Sequence, residues 1–359
     1  MNYCINPKCP HRQNPDFLES CKSCGTTLLI QNRYRLIRPL RELDEYSHTE
    51  IFEVEDQGIV QVLKILRSPN WVQLFEREAR TLQHLKHHGI PHVEPDGYFT
   101  VDLSNDSQKT LKLHCLVMEK IDGQNLEQWL AQQKPISQDL AVDWLKQLLE
   151  ILSLLHQNKL FHRDIKLSNI MLQPNGQLVL IDFGSVRQIT NTYLAKVGGG
   201  RDITGIVSPG YTSLEQANGK AVPQSDFYAL GRSLVHLMTG KHPIDFPENA
   251  KTGTLQWRDS ALHISSWFAN LIDDLMSPFP GNRPLNTQEI LERLKKDRYL
   301  LSNNLLVCFN IGLSILLIFT YVSMMNSQAE WQERQNQCSK SVSSVHLSDQ
   351  NIPLIICPK

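Results

Sequence analysis

The chain has 359 residues, 41% of them apolar and 20% charged, with a formal net charge of −1 and eight cysteines. Such a length suggests two or three units with sequence enough for a sizeable core, and the ordinary averages exclude wholesale disorder, collagen and many-span membrane proteins. A net charge near zero exerts no global pull toward nucleic acid or acidic lipid, and the thiols are too sparse for a disulfide-built scaffold.

Residues 1–30 hold four of the cysteines, Cys4, Cys9, Cys21 and Cys24, in a stretch rich in Asn, Pro and Lys with little apolar material. Two short-spaced thiolate pairs separated by a loop can close a tetrahedron around Zn²⁺, the metal replacing the missing core as the source of folding energy. His11 is a substitute ligand that four cysteines make unnecessary. The rival, a pair of disulfides, is disfavoured in a cytoplasmic compartment. Such a ribbon binds proteins or nucleic acids or merely stabilises, and nothing basic or aromatic here singles out nucleic acid, so none is expected.

From residue 34 to 298 the pattern is that of a mixed α+β domain. Val60–Leu66, Leu113–Met118 and Leu178–Ile181 read as strands, the last entered through the turn Pro174-Asn175-Gly176. Helical periodicity runs from Trp71 to Leu85 and from Leu140 to His156, where Trp144, Leu148, Leu149, Ile151, Leu152 and Leu155 form a stripe. Strands dominate the first third of this domain, and helices dominate beyond residue 225. His84, His87, His88 and His92 crowd the end of the first helix, and with no carboxylate or cysteine completing a metal set they read as solvated.

After Arg298 the next charge is Glu330. Leu305–Met325 between them is almost wholly apolar, and 21 residues at about 1.5 Å rise span about 30 Å, a bilayer's hydrocarbon thickness. The expectation is one transmembrane helix over 305–325, contacting lipid, with a short tail over 326–359 on the far side. Lys295, Lys296 and Arg298 put the large domain in the cytoplasm. Cys338 and Cys357 would then meet an oxidising side, where pairing with each other or between chains is open.

Phe161-His162-Arg163-Asp164-Ile165-Lys166-Leu167-Ser168-Asn169, followed by Asp182-Phe183-Gly184, resembles the catalytic loop and metal-binding turn of eukaryotic-type Ser/Thr protein kinases, in particular the membrane-anchored bacterial (cyanobacterial) type with an N-terminal zinc ribbon. The resemblance covers residues 34–298 and implies a bilobal fold, with a β-rich N-lobe over 34–121 and a helical C-lobe over 122–298. It implies ATP with Mg²⁺ or Mn²⁺ as cofactors and proteins as substrates, and leaves self-phosphorylation and dimerisation open. Asp164 would accept the hydroxyl proton, Lys166 would steady the γ-phosphate, and Asn169 and Asp182 would ligate the metal. Lys64 would contact the α- and β-phosphates, paired with Glu78; Met118 falls at the gatekeeper position, and Glu119–Ile121 form the adenine-binding hinge. Glu215 would pair with Arg283, and Asp226 would anchor the catalytic loop. Arg163 beside the catalytic aspartate implies activation by phosphorylation, with Thr190, Thr192 and Thr204 as acceptors and Ser208 as a substrate-positioning hydroxyl.

One stretch departs from the family. Where a glycine-rich phosphate loop belongs, residues 41–51 contain no glycine and four acidic residues, Glu42, Asp44, Glu45 and Glu50, in reach of an anionic ligand. The reading is an active but slow or tightly regulated kinase, and the alternative is a pseudokinase acting as a scaffold or nucleotide-sensing module.

Overall fold

The structure, a computed structural model, describes residues 1–44, 47–103, 110–188 and 207–343, and their side chains except at 188, 297–312 and 338–343. It divides into two units, Met1–Leu294 and Lys295–Lys359.

The first unit begins with a sheet of eight strands. These are β1 (Asn2–Tyr3), β2 (Gln13–Asn14), β3 (Leu29–Ile30), β4 (Tyr34–Pro39), β5 (Thr49–Asp56), β6 (Ile59–Leu66), β7 (Tyr98–Leu103) and β8 (Leu111–Glu119). The order is β2-β1-β4-β5-β6-β8-β7, with β3 also paired to β4. The cysteine-bearing segment is therefore bonded into the sheet, through Tyr3 opposite Leu36 and Leu29–Ile30 opposite Arg35 and Tyr34.

Strand alternation gives this sheet two distinct faces. Phe52 and Val54 share one face with Leu63 and Ile65, and these pack with Leu36 and with Ile5 of the cysteine segment into a small core of their own. The opposite face carries Lys64, whose cross-strand neighbour is Ile51. On that side Leu66 joins a second, larger core with Phe75, Ala79 and Leu82 of helix α1 (Val72–His84).

The larger core continues through α2 (Leu126–Gln132) and α3 (Gln138–Gln157). The expected stripe on α3 is buried, joined by Ala141 and Leu145, and Ser137 caps the helix by accepting the amide of Leu140. Short strand β9 (Gln124–Asn125) precedes α2 and pairs with β11 (Ile170–Leu172), which lies with β10 (Leu160–Phe161), β12 (Leu178–Leu180) and β13 (Arg187–Gln188) between α3 and the helices that follow. Gly123 precedes β9 at φ +119, and a Cβ there would lie 2.0 Å from the carbonyl of Leu172, so only glycine fits that approach. The helices α4 (Leu214–Ala217), α5 (Pro223–Thr239) and α6 (Ser266–Leu275) follow.

The last helix, α7 (Thr287–Ser343), begins in the first unit, where Ile290 and Leu294 are buried, and runs on through the second. Among the described residues no helix is long and apolar enough to cross a membrane. The expected span over 305–325 is only partly covered, because the side chains of 305–312 lie outside the description. Its remainder is exposed, from Leu313 through Phe319 to Met325. Cys357 also lies outside the described residues, and nothing is described of the Cys338 side chain.

Candidate active site

Lys64 is the centre of the site's charge network. Its ammonium lies 2.8 and 2.9 Å from the two carboxylate oxygens of Glu78 on α1, and 2.8 Å from Asp182 Oδ1. Lys64 and Glu78 are buried, which would disfavour both charges if they were alone. Burial works against the ammonium, but Asp182 and Glu78 together hold its pKa above the usual lysine value. The same burial pushes Glu78 up against the pull of Lys64, whereas Asp182, drawn chiefly by Lys64, sits well below the carboxylate range. The pair thus keeps a cation poised between two acids of unequal strength.

Asp182 reaches Lys64 through strained backbone. Its φ is +65, and among the described non-glycine residues Arg163 has φ +73. Left-handed backbone at two such residues costs free energy and is over-determined by the surrounding contacts. Asp226, fully buried, accepts the amides of His162 and Arg163 at 2.9 and 2.8 Å and also meets His156 Nε2 at 3.0 Å. Gln216 donates to the Arg163 carbonyl at 2.6 Å, fixing the peptide that follows that residue. On the next turn Phe183 is buried edge-on to His162, with ring centroids 5.1 Å apart.

The loop so held brings three of its side chains together with Ser208 from a later segment. Asp164 Oδ2 lies 3.0 Å from Lys166 Nζ and accepts from Asn169 Nδ2 at 2.9 Å, and Asn169 Nδ2 also donates to the Asp164 carbonyl. Ser208 donates to Asp164 Oδ1 at 2.6 Å and accepts from Lys166 Nζ at 3.0 Å. With the amide nitrogen of Asn169 committed to Asp164, its Oδ1 is the atom suited to a cation, as are the oxygens of Asp182. Two hard oxygen donors beside a buried lysine suit Mg²⁺ carried on a polyphosphate.

Further out, Met118 lies near the end of β8 opposite Val62, and Glu119, the last residue of β8, is pinned to the preceding loop by its amide on the His92 carbonyl and its carboxylate on the His92 amide. Ile121 follows, half-buried, in the link to β9. Glu215 meets the buried Arg283 through two hydrogen bonds of 2.7 and 3.1 Å and also accepts from Ser213 and Ser225. Thr190, Thr192 and Thr204 lie outside the described residues.

Of the glycine-less stretch, the described residues on either side of 45–46 are braced between β4 and β5. Arg67 donates to the Asp44 carbonyl at 2.8 Å and its amide donates to the His48 carbonyl, while His48 stacks on Trp71 with centroids 4.9 Å apart. Arg41 bonds Ser47 and both oxygens of Thr49. One expectation needs correction here: Glu50 is not in reach of a ligand beside Lys64. The alternation of β5 turns it to the other face, where it is 3% exposed and paired with Arg12 and Arg67. Sequence reasoning missed both arginines, because ion pairs between residues far apart in the chain, 38 positions for Arg12 and Glu50, leave no local signal.

In the N-terminal segment Cys4 and Cys24 lie 3.6 Å apart, as do Cys9 and Cys21, and the four sulfurs fall within 4.8 Å of one another. A tetrahedral Zn–S bond of about 2.3 Å sets sulfurs about 3.8 Å apart, so this donor set fits such an ion. Burial opposes the Cys21 thiolate, yet hydrogen bonds from the Ser23 and Cys24 amides and from Asn14 bring its pKa down to about 6. The histidine cluster is corrected as well. Glu150 on α3 comes to His87 and His88, so a carboxylate does complete a group of three. His87 Nδ1 already accepts the Gly89 amide at 3.0 Å, which commits one of its two nitrogens to the loop.

With this geometry in place, comparison with known proteins defines the class. The protein kinase domain family matches residues 51–296, and the chain belongs to that family. It is 30% identical over 316 residues to serine/threonine-protein kinase B of Synechocystis, covering 83% of this chain and 52% of that protein. It is 34% identical over 319 residues to serine/threonine-protein kinase F of the same organism, covering 80% and 62%, respectively. Serine/threonine-protein kinase PknA of Nostoc is 33% identical over 280 residues, covering 74% of this chain and 48% of its own. The chain thus spans about half to three-fifths of the length of these relatives.

Proposed function

We propose that the chain transfers the γ-phosphoryl group of ATP to serine or threonine hydroxyls of proteins. The observation that carries this reading is the closed set Asp164–Lys166–Ser208–Asn169 together with a Lys64 held by Glu78 and Asp182. Asp164 takes the proton of the incoming hydroxyl and aligns its oxygen with phosphorus, as the P–O bond to the leaving diphosphate breaks. Lys166, already beside Asp164, spreads its charge over the transferring group, and Lys64 holds the non-reacting phosphates. Mg²⁺ or Mn²⁺, held by Asn169 and Asp182, would neutralise phosphate charge when bound. Met118 and the Glu119–Ile121 segment form the adenine edge of the site.

The braced turn without glycine favours a second reading, in which the fold binds partners and transfers nothing. Labelled ATP with Mg²⁺ and a generic protein acceptor separates the two. Label in the wild type and none in Lys64→Met or Asp164→Asn supports transfer; equal blanks in all three would sink it.

Two further parts belong to the proposal. The N-terminal cysteines hold one structural Zn²⁺, a reading supported by their spacing in space. The exposed apolar run Leu313–Met325, extended by 305–312, anchors the chain in a bilayer with the kinase unit on the cytoplasmic side. If that is so, the full chain floats with lipid vesicles and a version ending at residue 298 does not. Recovery of both in the aqueous fraction would remove the anchor.

A further inference from the structure

The turn between β4 and β5 has no glycines to bring its amides to a phosphate, so its shape must be set from outside. The contacts that set it lead to the N-terminal segment. Arg67 holds the turn by its guanidinium on the Asp44 carbonyl and its amide on the His48 carbonyl. The same guanidinium lies 3.5 Å from Glu50. Glu50 in turn is gripped by Arg12 through two parallel bonds of 3.0 and 2.9 Å, with side chains only 10% and 3% exposed. Arg12 is itself fixed, by Nε on the Cys4 carbonyl at 2.9 Å, by its carbonyl on the Cys4 amide, and by its cation over the Phe52 ring.

Resting on the kinase reading above, we propose that Arg12 is a positioning residue for the phosphates of ATP, acting through Glu50 and Arg67. A buried carboxylate needs a partner. While Arg12 supplies a fork matched to both oxygens, Arg67 stands off at 3.5 Å and stays on the turn. Without Arg12, Glu50 has Arg67 alone, draws it closer, and strips the turn of its clamp at Asp44. The backbone at Asp44 is then released, and that end of the turn no longer holds its place toward the phosphates. The cysteine segment is by this account a working part of the nucleotide-binding lobe, joined to it by one guanidinium.

The test uses the full chain prepared with zinc, comparing wild type with Arg12→Ala, Arg12→Lys, Glu50→Gln and the Arg12→Ala/Glu50→Gln double variant. The expected result is a KM for ATP raised about tenfold in both Arg12 variants, with kcat at saturating ATP within about twofold. KM for the protein acceptor stays unchanged. The double variant is no worse than Glu50→Gln alone, because the charge that draws Arg67 away is gone. A KM for ATP equal to wild type in either folded Arg12 variant overturns the proposal, as does a loss confined to kcat. If Arg12→Ala does not fold, Arg12→Lys, which keeps the charge and loses the fork, is read in the same way. Dissociation of a fluorescent ATP analogue is measured alongside. A wild type that binds the analogue but transfers no phosphate defeats the kinase reading, while the same tenfold shift in analogue affinity still decides the role of Arg12.

Discussion

Ser208 donates its hydroxyl to Asp164 Oδ1 at 2.6 Å, the shortest of the contacts that gather around that carboxylate. The same hydroxyl accepts from Lys166, so one small side chain bridges the two groups nearest the reaction, which also meet directly through Asp164 Oδ2. Ser208→Ala takes the donor from Asp164 Oδ1 and leaves Lys166 held by Asp164 Oδ2 alone, so both groups are free to turn out of line. A misplacement of this kind costs up to about a hundredfold in rate. Steady-state kinetics should find kcat down by about 10- to 100-fold in Ser208→Ala and near wild type in Ser208→Thr, which keeps the hydroxyl.

Glu78 offers a separation of function from stability. Burial raises its pKa, so the folded protein holds its charge at a cost above the ordinary carboxylate value. Glu78→Gln removes that cost but leaves Lys64 tied to Asp182 alone. The melting temperature at pH 7 should be equal to or above wild type, while KM for ATP rises and kcat falls. A melting temperature lowered by many degrees would show the charge to be stabilising.

Glu215 behaves in the opposite sense. Burial works against its charge, but hydrogen bonds from Arg283, Ser213 and Ser225 prevail and hold its pKa below the usual value. Its contribution is therefore present above the unfolded pKa and lost as pH falls through the folded one. Glu215→Gln leaves Arg283 buried with a charge unpaired, a loss of about 3 kcal/mol at pH 7. Denaturant melts should find that gap constant down to about pH 4.3, the unperturbed glutamate value, and closing only below it.

The cysteine cluster predicts a metal count. Dialysed protein should carry one zinc per chain, and Cys21→Ser should carry far less. Because this segment covers the Phe52 face of the sheet, a strong chelator should lower the melting temperature of the whole first unit. Retention of one zinc by Cys21→Ser would place the metal elsewhere.

What the sequence made legible follows from distance along the chain. His162 to Asn169 and Asp182 to Gly184 are compact groups whose residue types state their chemistry, and Lys64 stands out as the lysine within the apolar run Val60–Leu66 of β6. The α3 stripe could be read because helix periodicity is local. Glu50 was misjudged because a carboxylate near the phosphate turn looks the same whichever face of the strand it takes. Arg12 and Glu150 went unnoticed for a related reason: each meets its partners only after separate elements have packed. The strands β1 and β3 were hidden too, since two residues apiece give no alternation to detect.

That β1 pairs with β4 also has a bearing on how the protein is made. All four thiols have left the ribosome once residue 24 is out, well before β6 exists to complete the strands around β5. Local closure is fast compared with pairing of distant strands. A ribbon capturing metal at that stage would form first and offer the edge of β1 to the emerging β4. The first turn of the chain would then act as a template on which the rest of the lobe assembles during synthesis, and zinc supply would govern yield before it governed activity.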